Sequence, residues 1–162
     1  MNSINNITRS GSCSGTIGEG ITFNAHLVEL KSQTFPPPHG ESHVMFARQR
    51  APGPEFTTKE VKVSARKDLA NGTYTVSPDS TEVRVTFVDN TVSTEPVFYL
   101  PLSGTIDIKF DNITGVFSGK LKDVLLENQD DDEDKTLTLN LEFDAKSDIS
   151  SARKNKSVRQ AA

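Results

Sequence analysis

The sequence predicts an all-β fold, a single antiparallel β-sandwich of about nine strands, with a β-barrel as the alternative. Apolar and polar residues alternate strictly at 105–110, 116–121 and 137–143, which places the apolar side chains on one face of each strand. Turn signals such as Asn71-Gly72 separate the strand segments at the spacing typical of antiparallel sheets. Residues 13–144 show no convincing helical periodicity.

The N-terminal half begins with a leader, residues 1–12, which is rich in Asn and Ser and is expected to be flexible. Strands are predicted at residues 13–18, 20–31, 42–50 and 56–65. The loop 32–41 between the second and third strands contains three consecutive prolines, which cannot donate to a sheet ladder. In the strand 42–50 we expect Val44 and Phe46 to point inward.

The C-terminal half begins with a short strand at Tyr74 and Val76, followed by strand 82–88 with Val83, Val85 and Phe87 inward. Residues 97–102 are apolar at consecutive positions, and Pro101 there predicts a sheet edge or a bulge. The strands of the 103–143 meander are joined by a hairpin loop at 111–115 and an acidic loop at 127–135. The tail after the last strand could form one short helix.

Length and charge predict one domain, residues 13–145, followed by a basic tail, 146–162. The tail holds five Lys or Arg and one acid, which gives +4, whereas the remaining residues hold 13 basic and 21 acidic side chains, which gives −8. We expect the acidic body to repel nucleic acid. Tail and body should attract each other weakly, so that a more acidic partner could displace the tail.

Cys13 is the single cysteine, so an intrachain disulfide is impossible, and we interpret it as a small half-buried residue. The N-terminus lacks the pattern of a secretory signal, and no apolar run reaches the length of a membrane span. The sequence is therefore expected to be soluble and cytoplasmic, although export without an N-terminal signal is left open.

An acidic run provides one candidate metal site. Asp130, Asp132 and Asp134 have the 1-3-5 spacing of calcium ligands in an EF-hand loop. The pattern then fails, because Lys135 stands where the loop needs glycine and Leu141 stands where it needs a glutamate. We therefore predict no cofactor, with Ca²⁺ as the alternative, and interpret the run as a solvated hairpin tip.

A second candidate binding site consists of His26, His39, Glu41 and His43. If Phe23 and Phe46 point inward, His26 and His43 point outward and could be neighbours on adjacent strands. Three or four nitrogen and oxygen ligands would suit zinc or iron. The competing interpretation is that loop histidines face water and bind nothing.

No nucleophile elbow, phosphate-binding loop or dinucleotide fingerprint is present. We therefore predict a non-catalytic module that binds a protein or small molecule through loops at one end of the sheet, at residues 32–41, 51–55 and 127–135. One alternative is a barrel that carries a small apolar ligand in its lumen. Another is a metal-dependent enzyme on the His26/His43 face. A core filled by side chains would favour the binding module over the carrier.

Overall fold

The structure, a computed structural model, describes residues 11–51, 57–91, 96–128 and 135–147. These residues form ten strands and no helix, which confirms the all-β class: β1 (Gly11–Ile17), β2 (Thr22–Asn24), β3 (Leu27–Thr34), β4 (Glu41–Arg50), β5 (Thr58–Arg66), β6 (Gly72–Thr75), β7 (Val83–Asn90), β8 (Val97–Phe110), β9 (Val116–Asn128) and β10 (Thr136–Lys146). Within these ranges no helix is long and apolar enough to span a membrane. Most of the predicted leader 1–12 and of the predicted tail 146–162 lies outside the described residues, although Gly11 and Ser12 belong to β1 and Lys146 belongs to β10. The behaviour of the leader and the tail stays a prediction, as does the cytoplasmic location.

All ten strands belong to one antiparallel sheet. Nine of them follow the order β2-β1-β10-β9-β8-β7-β5-β4-β3, and β6 pairs with β8 beside this path. The ten strands are close to the predicted number of about nine. The sheet curls on itself as a half-barrel, so the arrangement is closer to the barrel alternative than to two facing sheets.

The two edge strands of the sheet, β2 and β3, follow one another in the chain. β2 pairs with β1, and β3, which begins three residues after β2 ends, pairs with β4. At the change of partner, the Ala25 amide donates to the Cys13 carbonyl (2.9 Å) and the His26 amide donates to the Arg48 carbonyl (2.8 Å). One segment thus links the first and last strands of the path and holds the curl together.

A row of irregular positions crosses three adjacent strands. Gly104 of β8, with φ +124°, falls between the paired residues Ser103 and Thr105. On β9, Asp123 has φ 49°, and its amide donates to the Asn140 side-chain oxygen of β10 (2.9 Å) at a second register shift. Bulges bend strands and increase their twist. These positions therefore add local bend and twist to β8, β9 and β10.

The inner face of the sheet carries one hydrophobic core. Phe117, Leu139 and Leu141 are buried in it and Phe110 packs against it, as the alternation predicts. Cys13 also lies in this core, where burial, with a smaller effect of Asp144, raises its thiol pKa to about 12. The thiol is therefore protonated and shielded, which is more complete burial than the sequence predicts.

The predicted inward position of Phe46 is wrong. Met45 and Ala47 are 0 % exposed in the core, whereas Phe46 is only half-buried and lies 5.2 Å from the Arg48 guanidinium carbon on the outer side. Four consecutive apolar residues occupy positions 44–47. Such a run has no period-2 signal, so the sequence does not determine which face of β4 is buried. Val44 is buried as predicted but lies on the outer face, outside the main core cluster.

Candidate functional site

His39 is buried on the outer face of the sheet instead of facing water. Its ring Nδ1 donates to the Thr81 carbonyl, and the Ser64 hydroxyl, 3.0 Å away, donates to Nε2. The Phe35 ring centroid lies 5.0 Å from the imidazole. Burial lowers the pKa of His39, and the nearby Arg84 guanidinium lowers it further. A neutral His39 therefore fastens the proline loop to β5 and to the turn before β7.

Ser64 and His39 also have the spacing of a nucleophile and its base, with the Thr81 carbonyl as the orienting group. A hydrolase would have to expose the hydroxyl to its substrate. Ser64 is 4 % exposed and His39 is 1 % exposed. The pair consequently acts as a structural clamp in this arrangement.

His43 points inward, so the prediction that it lies on the outer face is wrong. Its ring stacks on Phe110 at a centroid distance of 4.0 Å and lies 5.5 Å from Phe117. Burial lowers the pKa of His43, and the charge of Lys67 lowers it further, against the opposing effect of Glu41. Glu41 itself is exposed and forms an ion pair with Lys67 (3.1 Å).

His26 and His43 are not neighbours. The His26 amide bonds to Arg48 near the C-terminal end of β4, whereas His43 lies near the N-terminal end of that strand. His26 is exposed, and its Nδ1 accepts a hydrogen bond from the Arg50 amide (3.1 Å), whereas His43 pairs with Ser32. His43 and Arg48 are separated by about 17 Å along the strand at 3.4 Å per residue. Within the described ranges no group of three or more His, Cys, Asp or Glu residues could hold a metal ion.

The loops proposed from the sequence do not share one end of the sheet. Loop 35–40 precedes the N-terminal end of β4, and Ala51 follows its C-terminal end. That part of the prediction is wrong, because consecutive loops alternate between the two ends of an antiparallel sheet. Asp130, Asp132 and Asp134 lie outside the described residues, so the calcium alternative stays untested.

A cleft opens where β7 and β8 separate. Their ladder ends at the pair Phe87–Tyr99. The next hydrogen-bonded pair would join Val85 to Pro101, and proline has no N–H to donate. β6 pairs with β8 only from Thr105 onward. The predicted irregularity at Pro101 is confirmed by a register shift between β8 and β9, and it produces a gap in the outer surface.

The cleft has a volume of about 530 Å³, within the usual range of about 300–1,000 Å³ for small-molecule sites. Arg84 and Thr86 of β7 form one wall, and residues 100–102 (Leu-Pro-Leu) of β8 form the apolar wall. The turn 77–81 and Glu127 complete the lining. Leu100, the fourth of the 14 residues of β8, is 42 % exposed, so its side chain is accessible from the cleft.

Arg84 gives the cleft a cationic end. Its guanidinium carbon lies 5.9 Å from the Phe35 ring centroid, and the Lys62 ammonium lies 5.8 Å from the same ring. In the part of the chain that the structure describes, neither cation forms an ion pair with a carboxylate. By contrast, Arg48 on the same outer face lies 2.9 Å from Glu60.

Two other surface cavities, each of about 390 Å³, contain ion pairs. The cavity over β1, β10, β9 and β8 contains the Lys120–Glu142 ion pair (3.3 Å). The cavity beside loop 35–40 is lined by the pairs Arg66–Asp68 (3.0 Å) and Lys67–Glu41 (3.1 Å). Of the three cavities, the β7–β8 cleft has the largest volume, and its cation Arg84 forms no ion pair with a carboxylate of the described residues.

Comparison with protein-family models, curated proteins and solved structures gave no match. Function has to be inferred from this geometry. Sequence reasoning missed Arg84, Thr86 and Leu102 as site residues. The only signal that could have found them was Pro101 within the consecutive apolar residues 97–102, since a proline there interrupts pairing.

Proposed function

We propose that this protein is a non-catalytic binding module that takes a small molecule in the β7–β8 cleft. The observation that carries the proposal is an apolar strand wall, Leu100 to Leu102, facing Arg84 across about 530 Å³. Small-molecule sites typically combine an apolar lining with a few polar groups that orient the ligand. Arg84 and the hydroxyls of Thr86 and Ser77 supply such groups here.

The packing of the inner face favours this proposal over a carrier with an apolar lumen. Phe23, Phe87, Phe117 and Met45 are each at most 2 % exposed and belong to one core cluster. A ligand inside the sheet would have to displace these side chains, and protein cores pack as densely as organic crystals. The outer cleft needs no such displacement.

The burial of the Ser64–His39 pair favours binding over hydrolysis. An enzyme on the histidine face would need convergent ligands, and the four sequence-predicted residues His26, His39, Glu41 and His43 lie apart or point to opposite sides of the sheet. We therefore place the proposed site between β7 and β8.

The chain contains no tryptophan, so an introduced tryptophan is the sole indole reporter. We propose two variants at similarly exposed positions, Leu100→Trp in the cleft and Ile21→Trp outside the cleft lining, at 42 % and 47 % exposure. The probe is 8-anilinonaphthalene sulfonate, an apolar anion. Saturable quenching of Leu100→Trp with little change in Ile21→Trp supports the proposal. Equal effects on both variants, or none on either, would overturn it.

A further inference from the structure

We infer that the ligand of the cleft is a monocarboxylate with an aliphatic body, and that its carboxylate binds Arg84. This inference rests on the proposed function. A guanidinium presents a planar set of N–H donors that matches a carboxylate in a bidentate geometry. Arg84 is half-buried, and no carboxylate of the described residues lies in ion-pair contact with it.

The surroundings of Arg84 also favour an anionic group at this side of the cleft. Phe35 holds Lys62 and Arg84 at its ring, 5.8 and 5.9 Å from the centroid. His39, beside the same ring, is neutral and adds no negative charge near Arg84. An anionic group that contacts β7 in the cleft therefore meets the Arg84 guanidinium and the Thr86 hydroxyl.

The opposite wall selects the rest of the ligand. Leu100, Pro101 and Leu102 line the cleft on β8. A straight aliphatic chain would contact this wall, and each methylene that is fully buried should tighten binding about fourfold. The ligand therefore has its charge towards β7 and its apolar body over β8.

Two carboxylates make the cleft unfavourable for a second acid. Asp79 lies in the turn 77–81, and Glu127 of β9 pairs with Leu100 on the far side of β8 from β7. Two strand spacings put Glu127 at least about 10 Å from β7. A dicarboxylate bound to Arg84 would have to place its second charged group against the apolar wall of β8 or towards Glu127, and both positions are unfavourable for a carboxylate.

The test is a calorimetric titration of the full chain with three ligands that share an eight-carbon body: octanoate, octanedioate and octylamine. The inference predicts saturable octanoate binding, with octanedioate and octylamine at least tenfold weaker. Octanoate affinity should fall with salt, because the cleft is open to solvent. Octylamine or octanedioate binding as tightly as octanoate would overturn the inference, independently of any variant.

Two variants and one control locate the charges. Arg84→Gln should weaken octanoate about tenfold or more, as expected for loss of a charge-assisted bidentate contact. The control Arg48→Gln removes an arginine that is paired with Glu60 on β4 and β5, and it should leave affinity unchanged. Glu127→Gln should raise octanedioate affinity. Equal octanoate affinity in Arg84→Gln and the unaltered chain would contradict the inference.

The outcomes separate this inference from the proposed function. If no ligand binds and 8-anilinonaphthalene sulfonate leaves the Leu100→Trp emission unchanged, both fail. If the sulfonate binds in the cleft but octanoate has no advantage over octylamine, the binding module stands and the carboxylate specificity is wrong.

Discussion

Replacing Gly104 with alanine should destabilise the fold more than its single methyl group suggests. An added Cβ would lie 2.6 Å from the Val124 Cα and 2.8 Å from the Asp123 carbonyl oxygen. Both are backbone atoms, which cannot rotate away. The backbone at φ +124° is also unfavourable for alanine. Strain of about 1–3 kcal/mol and overpacking of about 1–3 kcal/mol together predict a loss of about 2–6 kcal/mol in the free energy of unfolding.

Urea unfolding, followed by circular dichroism, measures this loss. Gly72→Ala is the matched control, since a Cβ there meets no atom within 4 Å and its φ lies outside the left-handed region. We expect the control to change stability by at most about 0.5 kcal/mol. If Gly104→Ala behaved like the control, the reasoning about the row of bulges across β8, β9 and β10 would be refuted.

Two further predictions concern the core and the clamp. Leu139→Ala should reduce the free energy of unfolding by about 2–5 kcal/mol in urea, because Leu139 is 0 % exposed; a loss below about 0.5 kcal/mol would contradict its central position. The pKa of His39 is lowered by folding, so the unfolded chain binds more protons below about pH 6.5. The stability that neutral His39 contributes is present above this pH and is lost on acidification, so stability should fall between about pH 7.5 and 5.5. His39→Gln should flatten this slope, and an unchanged slope would assign it to another group such as His43.

The sequence predicted well where the signal was local. The alternation at 105–110, 116–121 and 137–143 identified the strands of the meander and their buried faces, and Pro101 identified a bulge. The prediction failed at β4, because four consecutive apolar residues there show no alternation between apolar and polar positions. Phe46 was therefore assigned to the wrong face. Local chemistry therefore determined the elements but not every orientation.

The site depended on information that is not local. Arg84 and Leu102 meet in one cleft only because the β7–β8 ladder ends at Phe87–Tyr99. The burial of His39 likewise requires β5 and the turn before β7 to lie beside the proline loop. The residue pattern of a single segment does not indicate which distant strand or turn will lie beside it. The residues of the candidate site were therefore beyond sequence reasoning even though their strands were not.

The pairing of β1 with β10 also sets an order for assembly. β1 pairs with β10, and the hydrogen bond from the Ser12 hydroxyl to Asp144 joins residues 132 positions apart in the chain. During synthesis β1 must wait for the last strand, and until then β1 and β9 each lack the neighbour that β10 provides. Unpaired strand edges recruit other chains, and long-range pairing is slow to form. The newly made chain therefore exposes aggregation-prone strand edges until β10 has emerged.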